Sequence, residues 1–563
     1  MNEAPNNVEA DRQLIRAARQ QGLGATLGVY TKLSGPGWLQ SAITLGGGSL
    51  AGSLYLGVIA GYQLLWLQPL MMILGLVMLG AIGYVTLSTN ERPFDSINQH
   101  LNPVLGWGWA IATLMANLVW AMPQFSLGTA ALQQNLLPGV FGDSAAGPLG
   151  KYAAVVLLFA SAATVVWFYD RGGWGIRLFE ILLKIMVGVI VFSFFGVVVA
   201  MTFGGGLDWG AILSGFVPNL QLLFEPANRF GEILPRTSAP EYWRDQILSS
   251  QRDRMVTAAA TAVGINMTFL LPYSMLKRGW DRDFRGLAVF DLSTGLFIPF
   301  VLATSCVVIA AAAQFHGQYD PGLVGDGERT AITESLEGAY QTNLAGLTKF
   351  LGTQEVQLDD RRVAAMLVTR DAFLLANSLE DLTGKTIAQT VFGIGVLGMA
   401  ISSIIILMLI NGFTICEMVG LPSRGALYHV GCLLPGISGA FGFLFLWTNK
   451  QAHFWLAVPT SVFGMVLLPI AYVTFFLMMN NRNILGEDRP RGVRRIGLNI
   501  IMLVALLAAT IGAGWSIWGR TMTIPGTEIM VRWVGIVLVV GFVALALVAQ
   551  AMRSTPKSGV RND

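Results

Sequence analysis

Gly46-Gly47-Gly48-Ser49 stands in the middle of an uncharged apolar run, Gly35 to Trp66, long enough to cross a bilayer. A glycine inside a helix costs about 1 kcal/mol relative to alanine, so three in a row mark a place where a spanning helix stops and restarts. The freed carbonyl and N–H groups, with the Ser49 hydroxyl beside them, make a neutral binding site suited to an ion or a polar solute. Backbone that leaves the helix at membrane depth must be buried in protein or line a watery cavity, because lipid offers it no partner. A second such place lies in TAAATAVGINMTFLLPYSMLKRGW from Thr257. Asn266, Thr268 and Pro272 interrupt that run, Met267 adds a thioether, and Pro272 lacks a donor and crowds the turn before it. Two interrupted spans imply a transport pathway. Enzyme chemistry finds no support: paired catalytic carboxylates, a His-Glu-x-x-His zinc motif, a Gly-x-Ser-x-Gly turn and a Walker loop are all missing from the sequence. No cofactor and no nucleic-acid partner is implied.

The elements that must position these residues are membrane helices. The chain has 563 residues, 54% hydrophobic and only 12% charged, where a soluble protein carries about 25% charged residues. Twelve apolar runs qualify as spans, near 38–58, 62–86, 106–135, 151–168, 178–203, 256–276, 287–314, 387–414, 425–447, 454–479, 496–518 and 529–551. The expected architecture is an all-α integral membrane protein of about 12 transmembrane helices. Interruptions in the first and sixth spans fit an inverted repeat of five plus five, with the unwound halves facing each other at the midplane. A cytoplasmic N-terminus gathers Arg171, Arg177, Lys277, Arg278, Arg282, Arg285, Arg482, Arg489, Arg491, Arg494 and Arg495 on the cytoplasmic side. An even span count returns the tail, with Arg553, Lys557 and Arg561, to the same side.

These assignments divide the chain into a cytoplasmic N-terminal segment (1–35), a transporter core (36–485), two peripheral spans (486–552) and a cytoplasmic tail (553–563). Residues 1–35 are polar and basic and show no cleavable signal. The expected location is the cell membrane, plasma or inner. Two long connections, 204–255 and 315–386, fall outside, and the second has helical spacing that predicts a folded cap. Trp38, Trp66, Trp107, Trp109, Trp515 and Trp518 lie near span ends, as interface anchors do. Cys306, Cys416 and Cys432 suggest neither a disulfide framework nor a metal site. Glu180 and Lys184 can pair four residues apart, Asp291 begins the seventh span, and Asn117, Gln124, Asn411 and His429 read as packing groups. Gly48-x-x-x-Gly52 also permits close helix packing.

The sequence resembles the NRAMP family of divalent-metal transporters. GPG, a run of apolar residues and then GYQLLW match the family's first span and the start of its second without a gap. DWGAILSGFVP from Asp208, the stretch from Arg285 through VVIAAAAQFH, the eighth span from Lys385, and RNILGE extend the likeness over about 35–485. The resemblance implies a LeuT-like inverted repeat. It also shows departures. The family's first-span motif Asp-Pro-Gly-Asn falls on Gly46, Gly47, Gly48 and Ser49, so the cation-holding carboxylate is missing. Its sixth-span motif Met-Pro-His-Asn falls on Asn266, Met267, Thr268 and Phe269, or one residue on, which puts Met267 on the family's metal-binding methionine. Both family histidines of that span are absent, and Met122 and Phe125 occupy the positions of the Asp and Glu of the family's proton route.

The expected substrate contacts are Gly46, Gly47, Gly48, Ser49, Asn266, Met267 and Thr268, with Ser49 and Asn266 as the oxygen donors nearest a metal. All are neutral, which disfavours bare Mn2+ or Fe2+ and suits a cation that keeps its water, as Mg2+ does. The function this implies is secondary transport of a small cation by alternating access. The alternatives are a non-metal solute on the same scaffold, or a receptor or scaffold that does not transport. The expected partners are that small substrate and the lipid bilayer.

Overall fold

The computed structural model describes residues 4–170, 173–353, 355–380, 384–446, 467–519, 523 and 527–554. Arg171, the first half of the tenth apolar run and the tail from 555 lie outside them. Among the described residues, nine helices are long and apolar enough to cross a membrane, and a bent pair, Pro36–Thr44 with Gly47–Ala60, makes a tenth. The sixth run forms Pro240–Ala262 and Ile265–Lys277, and the tenth contributes Leu468–Asn480. Each of the twelve expected spans therefore has a helix.

Burial orders the bundle. The eighth span, Thr386–Val419, has 78% of its most apolar window buried within the protein, whereas the twelfth, Val531–Arg553, has none. The eighth packs on the third and ninth spans, and the seventh packs on Gly47–Ala60. Gly57 permits the latter approach, since a Cβ there would meet the Val308 carbonyl oxygen at 2.6 Å.

The two interruptions differ from each other. In the first span the helix stops at Thr44 and restarts at Gly47 with a 56° bend, so only Leu45 and Gly46 leave it. In the sixth, Val263 and Gly264 are extended, which moves the break upstream of Asn266, Thr268 and Pro272. Those three residues are helical, and Pro272 sits inside Ile265–Lys277. Membrane helices tolerate such a proline when neighbouring groups take up the freed carbonyl. The half before the break reaches back to Pro240, so much of what reads as an outer connection is helix.

The described residues between 315 and 386 are largely helical. Helices Pro321–Val324, Ala331–Leu351, Leu358–Met366 and Ala372–Ser378 build this segment. Thr330 caps the longest at its start and Gly352, at φ 68°, ends it in the left-handed region. Buried Asp360 accepts from Trp243 Nε1 at 2.7 Å and from the Ser238 N–H, tying this cap to helix Pro240–Ala262. Trp66 and Trp109 are not interface anchors: both are buried in the core.

Candidate functional site

A cavity of about 510 Å³ lies where the two interrupted spans meet. Thr44 Oγ1 donates to the Ala262 carbonyl at 2.7 Å, clasping the end of one half-helix to the end of the other. The helices that restart at Gly47 and Ile265 point their N-terminal amides at the same space, while Pro36–Thr44 and Pro240–Ala262 end there with carbonyls. Both signs of helix-end charge thus converge on one place without any ionised group at the breaks.

Five of the seven sequence-derived residues line the cavity: Gly46, Gly48, Ser49, Asn266 and Met267. The Ser49 hydroxyl bridges the first break, accepting from the Gly46 N–H at 3.1 Å and lying within donating distance of the Thr44 and Gly46 carbonyls. Gly46 has no room for a side chain, since a Cβ would come within 2.3 Å of Ser403 Oγ. In the sixth span, Asn266 Oδ1 accepts from the Met267 N–H at 2.9 Å and its Nδ2 donates to Asn117 Oδ1 at 3.1 Å. Asn117 in turn donates to Asn411 Oδ1 at 3.1 Å, so Asn117 and Asn411, which read as packing groups, orient the amide at the site.

Gly47 and Thr268 are not on the cavity wall. The Gly47 N–H donates to Gln124 Oε1 at 2.9 Å. Thr268 is buried, accepting from Trp109 Nε1 at 2.9 Å while its hydroxyl turns to the Ile265 carbonyl.

The structure adds wall residues that sequence reasoning missed. Gln124 and Trp120 come from the third span, Ser403 from the eighth, Asp253 and Arg254 from Pro240–Ala262, and Trp515 from the eleventh. Asp253 is hidden in the sequence because it falls in a polar stretch before the apolar run. Its Oδ1 accepts from Trp515 Nε1 at 3.3 Å, and Arg254 stacks 4.1 Å over the Tyr55 ring. The eleventh span, expected at the periphery, therefore forms part of the cavity's mouth. It begins at Gly492, near the basic end, and Trp515 lies near its other end, so the mouth faces away from the basic cluster.

The basic end is tied together by polar contacts. Asp291 is buried there and accepts the Gly35 and Gly37 N–H groups at 3.0 and 2.6 Å. Arg278 binds Glu180 and the Leu33 carbonyl, and Lys184 reaches the Ser34 carbonyl at 2.6 Å. Glu180 and Lys184, expected to pair with each other, instead tie the fifth span to two neighbours, Glu180 to Arg278 at the end of the sixth and Lys184 to Ser34 before the first. Below the sixth-span break, Trp109, Phe269, Tyr273 and Phe413 form an aromatic column. Glu417 joins it to Arg92 by accepting from the Tyr273 hydroxyl at 3.2 Å.

Two interrupted helices around a central cavity are the arrangement of a transporter of the inverted-repeat class. The chain belongs to the natural resistance-associated macrophage protein-like family, whose model matches residues 37–352 and 362–515; it is a membrane transport protein and not an enzyme. Among solved structures it resembles the manganese transporter of Eremococcus coleocola. A histidine-to-alanine mutant of that protein aligns with a TM-score of 0.64 at 14% identity, covering 93% of this chain and 95% of the other. The complex with an aromatic bis-isothiourea substituted compound aligns with a TM-score of 0.63 at 14% identity, covering 93% and 94%. At that identity the likeness is one of fold, and the fold is the LeuT-like one expected from the broken spans. A search of curated protein sequences finds no match.

Proposed function

We propose that this chain moves a small cation that keeps much of its hydration, Mg2+ first among them, by alternating access through the cavity at the two breaks. The observation that carries the proposal is the combination of size and neutrality at that cavity. Six waters at about 30 Å³ each occupy roughly 180 Å³, well within the cavity's 510 Å³. Among the described residues no cluster of three or more His, Cys, Asp or Glu could hold a metal ion directly. A hard cation that dehydrates reluctantly is the divalent substrate that neutral oxygens serve best. The manganese of the Eremococcus protein supports a divalent cation as the substrate class.

Ser49 and Asn266 are the proposed cation contacts. Ser49 Oγ accepts one hydrogen bond, as does Asn266 Oδ1, and each oxygen keeps a second lone pair for the substrate or its water. In this reading residues 36–485 form the transport core with 315–386 as an outer cap. The basic end and both termini face the cytoplasm of a cell bounded by this membrane, and the cavity opens outward.

A second reading is favoured by one feature. Trp120, Pro123 and Trp515 with the oppositely charged Asp253 and Arg254 suit a zwitterionic organic solute. Uptake into proteoliposomes separates the two: Mg2+ flux lost in Asn266→Ala supports the cation. No flux of any metal, with thermal stabilisation by an organic solute, supports the alternative.

A further inference from the structure

A second cavity, of about 480 Å³, lies on the outside of the bundle between the second, seventh and eleventh spans. Its long walls are the faces Leu76 to Tyr84 and Arg494 to Met502, each about 12 Å at 1.5 Å per residue. That is some two-fifths of a hydrocarbon core about 30 Å thick. The walls are apolar, and their rims open sideways: Val289 is 62% exposed and Ile501 45%. On a membrane-spanning surface those rims face acyl chains.

One end of the slot is basic. Arg285 lies 4.4 Å over the Tyr84 ring and pairs with Asp488 at 3.1 Å, and Arg282 shares the same carboxylate at 2.9 Å. Arg494 is exposed and has no ion pair among the described residues. Arg282 and Arg285 therefore share one acid, and Arg494 lines the same groove as Arg285. Arg285 Nε is buried and lacks a hydrogen-bond partner among the described residues. An unsatisfied guanidinium donor beside an unpaired arginine, above an apolar slot, calls for a ligand with an anionic head and a hydrocarbon tail.

We propose that this groove binds an anionic phospholipid, with the phosphate on Arg494 and Arg285 and one acyl chain in the slot. Because the groove touches the sixth span at Leu271 and the seventh at Val289, the lipid is a wedge beside an interrupted helix. The proposal stands independently of which substrate the central cavity takes.

The test adds phosphatidylglycerol or phosphatidylcholine to the detergent-purified protein and follows thermal unfolding together with bound lipid by native mass spectrometry. Phosphatidylglycerol is expected to bind in preference and to raise the unfolding temperature. Arg494→Gln is expected to lower that preference about five-fold, the share of one arginine near an anionic headgroup. A Cβ at Gly80 meets nothing within 4 Å, so Gly80→Leu directs its side chain into open space at the slot. It is expected to displace the bound lipid without lowering the lipid-free unfolding temperature, since a helical glycine is itself destabilising. Equal binding of the two lipids, full stabilisation by inorganic phosphate alone, or unchanged phosphatidylglycerol retention in both variants overturns the proposal.

Discussion

Asn266→Asp places a single negative charge on the wall of the neutral cavity, and the surrounding amides are arranged to accept it. In the wild-type chain the donors run from Asn266 to Asn117 to Asn411, and Asn411 Nδ2 is left buried without a partner among the described residues. A carboxylate offers only acceptors, so Asn117 and Asn411 turn their amides. Asn117 Nδ2 then donates to Asp at 266, and Asn411 Nδ2 donates to Asn117. The Met267 N–H keeps the Gly264 carbonyl at 3.1 Å. Satisfying the orphaned donor recovers about 1–3 kcal/mol against the cost of burying the acid.

A unit charge 4 Å from a divalent ion at an effective dielectric of 20 gives roughly 8 kcal/mol of attraction, twice the figure for two unit charges. Desolvation takes back several kcal/mol per ion. A net gain of about 1.4–3 kcal/mol remains, ten- to more than hundred-fold in Kd at 1.4 kcal/mol per decade. Mn2+ gains more than Mg2+, because a carboxylate next to the Met267 thioether is a better transition-metal site. Titrating Mn2+ and Mg2+ into purified wild-type and variant protein, with thermal stabilisation as readout, checks this. A folded variant whose Mn2+ affinity is unchanged within two-fold would refute the placement of the cation at the breaks.

Further outcomes follow from the same geometry. Thr44→Val removes the clasp to the Ala262 carbonyl and is expected to destabilise by about 1 kcal/mol, seen as a lower denaturation midpoint. Gly37→Ala drives a Cβ to 2.2 Å from the Asp291 carbonyl oxygen, and hydrogen exchange at the basic end is expected to rise as its contacts are forced apart. Burial lowers the pKa of His316 below its ordinary 6.5, so the neutral ring is favoured in the folded chain. The stability this contributes is fully present above pH 6.5 and is lost as pH falls through the folded value; unfolding temperatures between pH 7.5 and 5.5 should fall less in His316→Gln than in wild type.

The twelve spans and the break at Gly46 were legible because both rest on local composition: long apolar runs, and glycines where a helix needs side chains. The sixth-span break was displaced because Asn266, Thr268 and Pro272 look disruptive in isolation. In the fold, Asn266 and Thr268 find partners on the third span, and the helix yields at Val263 and Gly264 instead. Asp253 and Trp515 could not be found from spacing at all. They come from a polar stretch and from a late span, and only tertiary packing brings them to the same mouth. Gln124 shows the same limit, since an amide within a span is packing or site according to what faces it, here the Gly47 N–H.

The central claim is that neutral oxygens at the two breaks pass a hydrated divalent cation. Its most direct test is Mg2+ uptake into sealed proteoliposomes, with Mn2+ in parallel and lumenal pH recorded. The account predicts Mg2+ flux that is lost in Asn266→Ala and is not accompanied by acidification, since Met122 and Phe125 carry no titratable group where the resemblance places the family's proton route. Mn2+ flux without Mg2+ flux, or Mg2+ flux unaltered in Asn266→Ala, would contradict it.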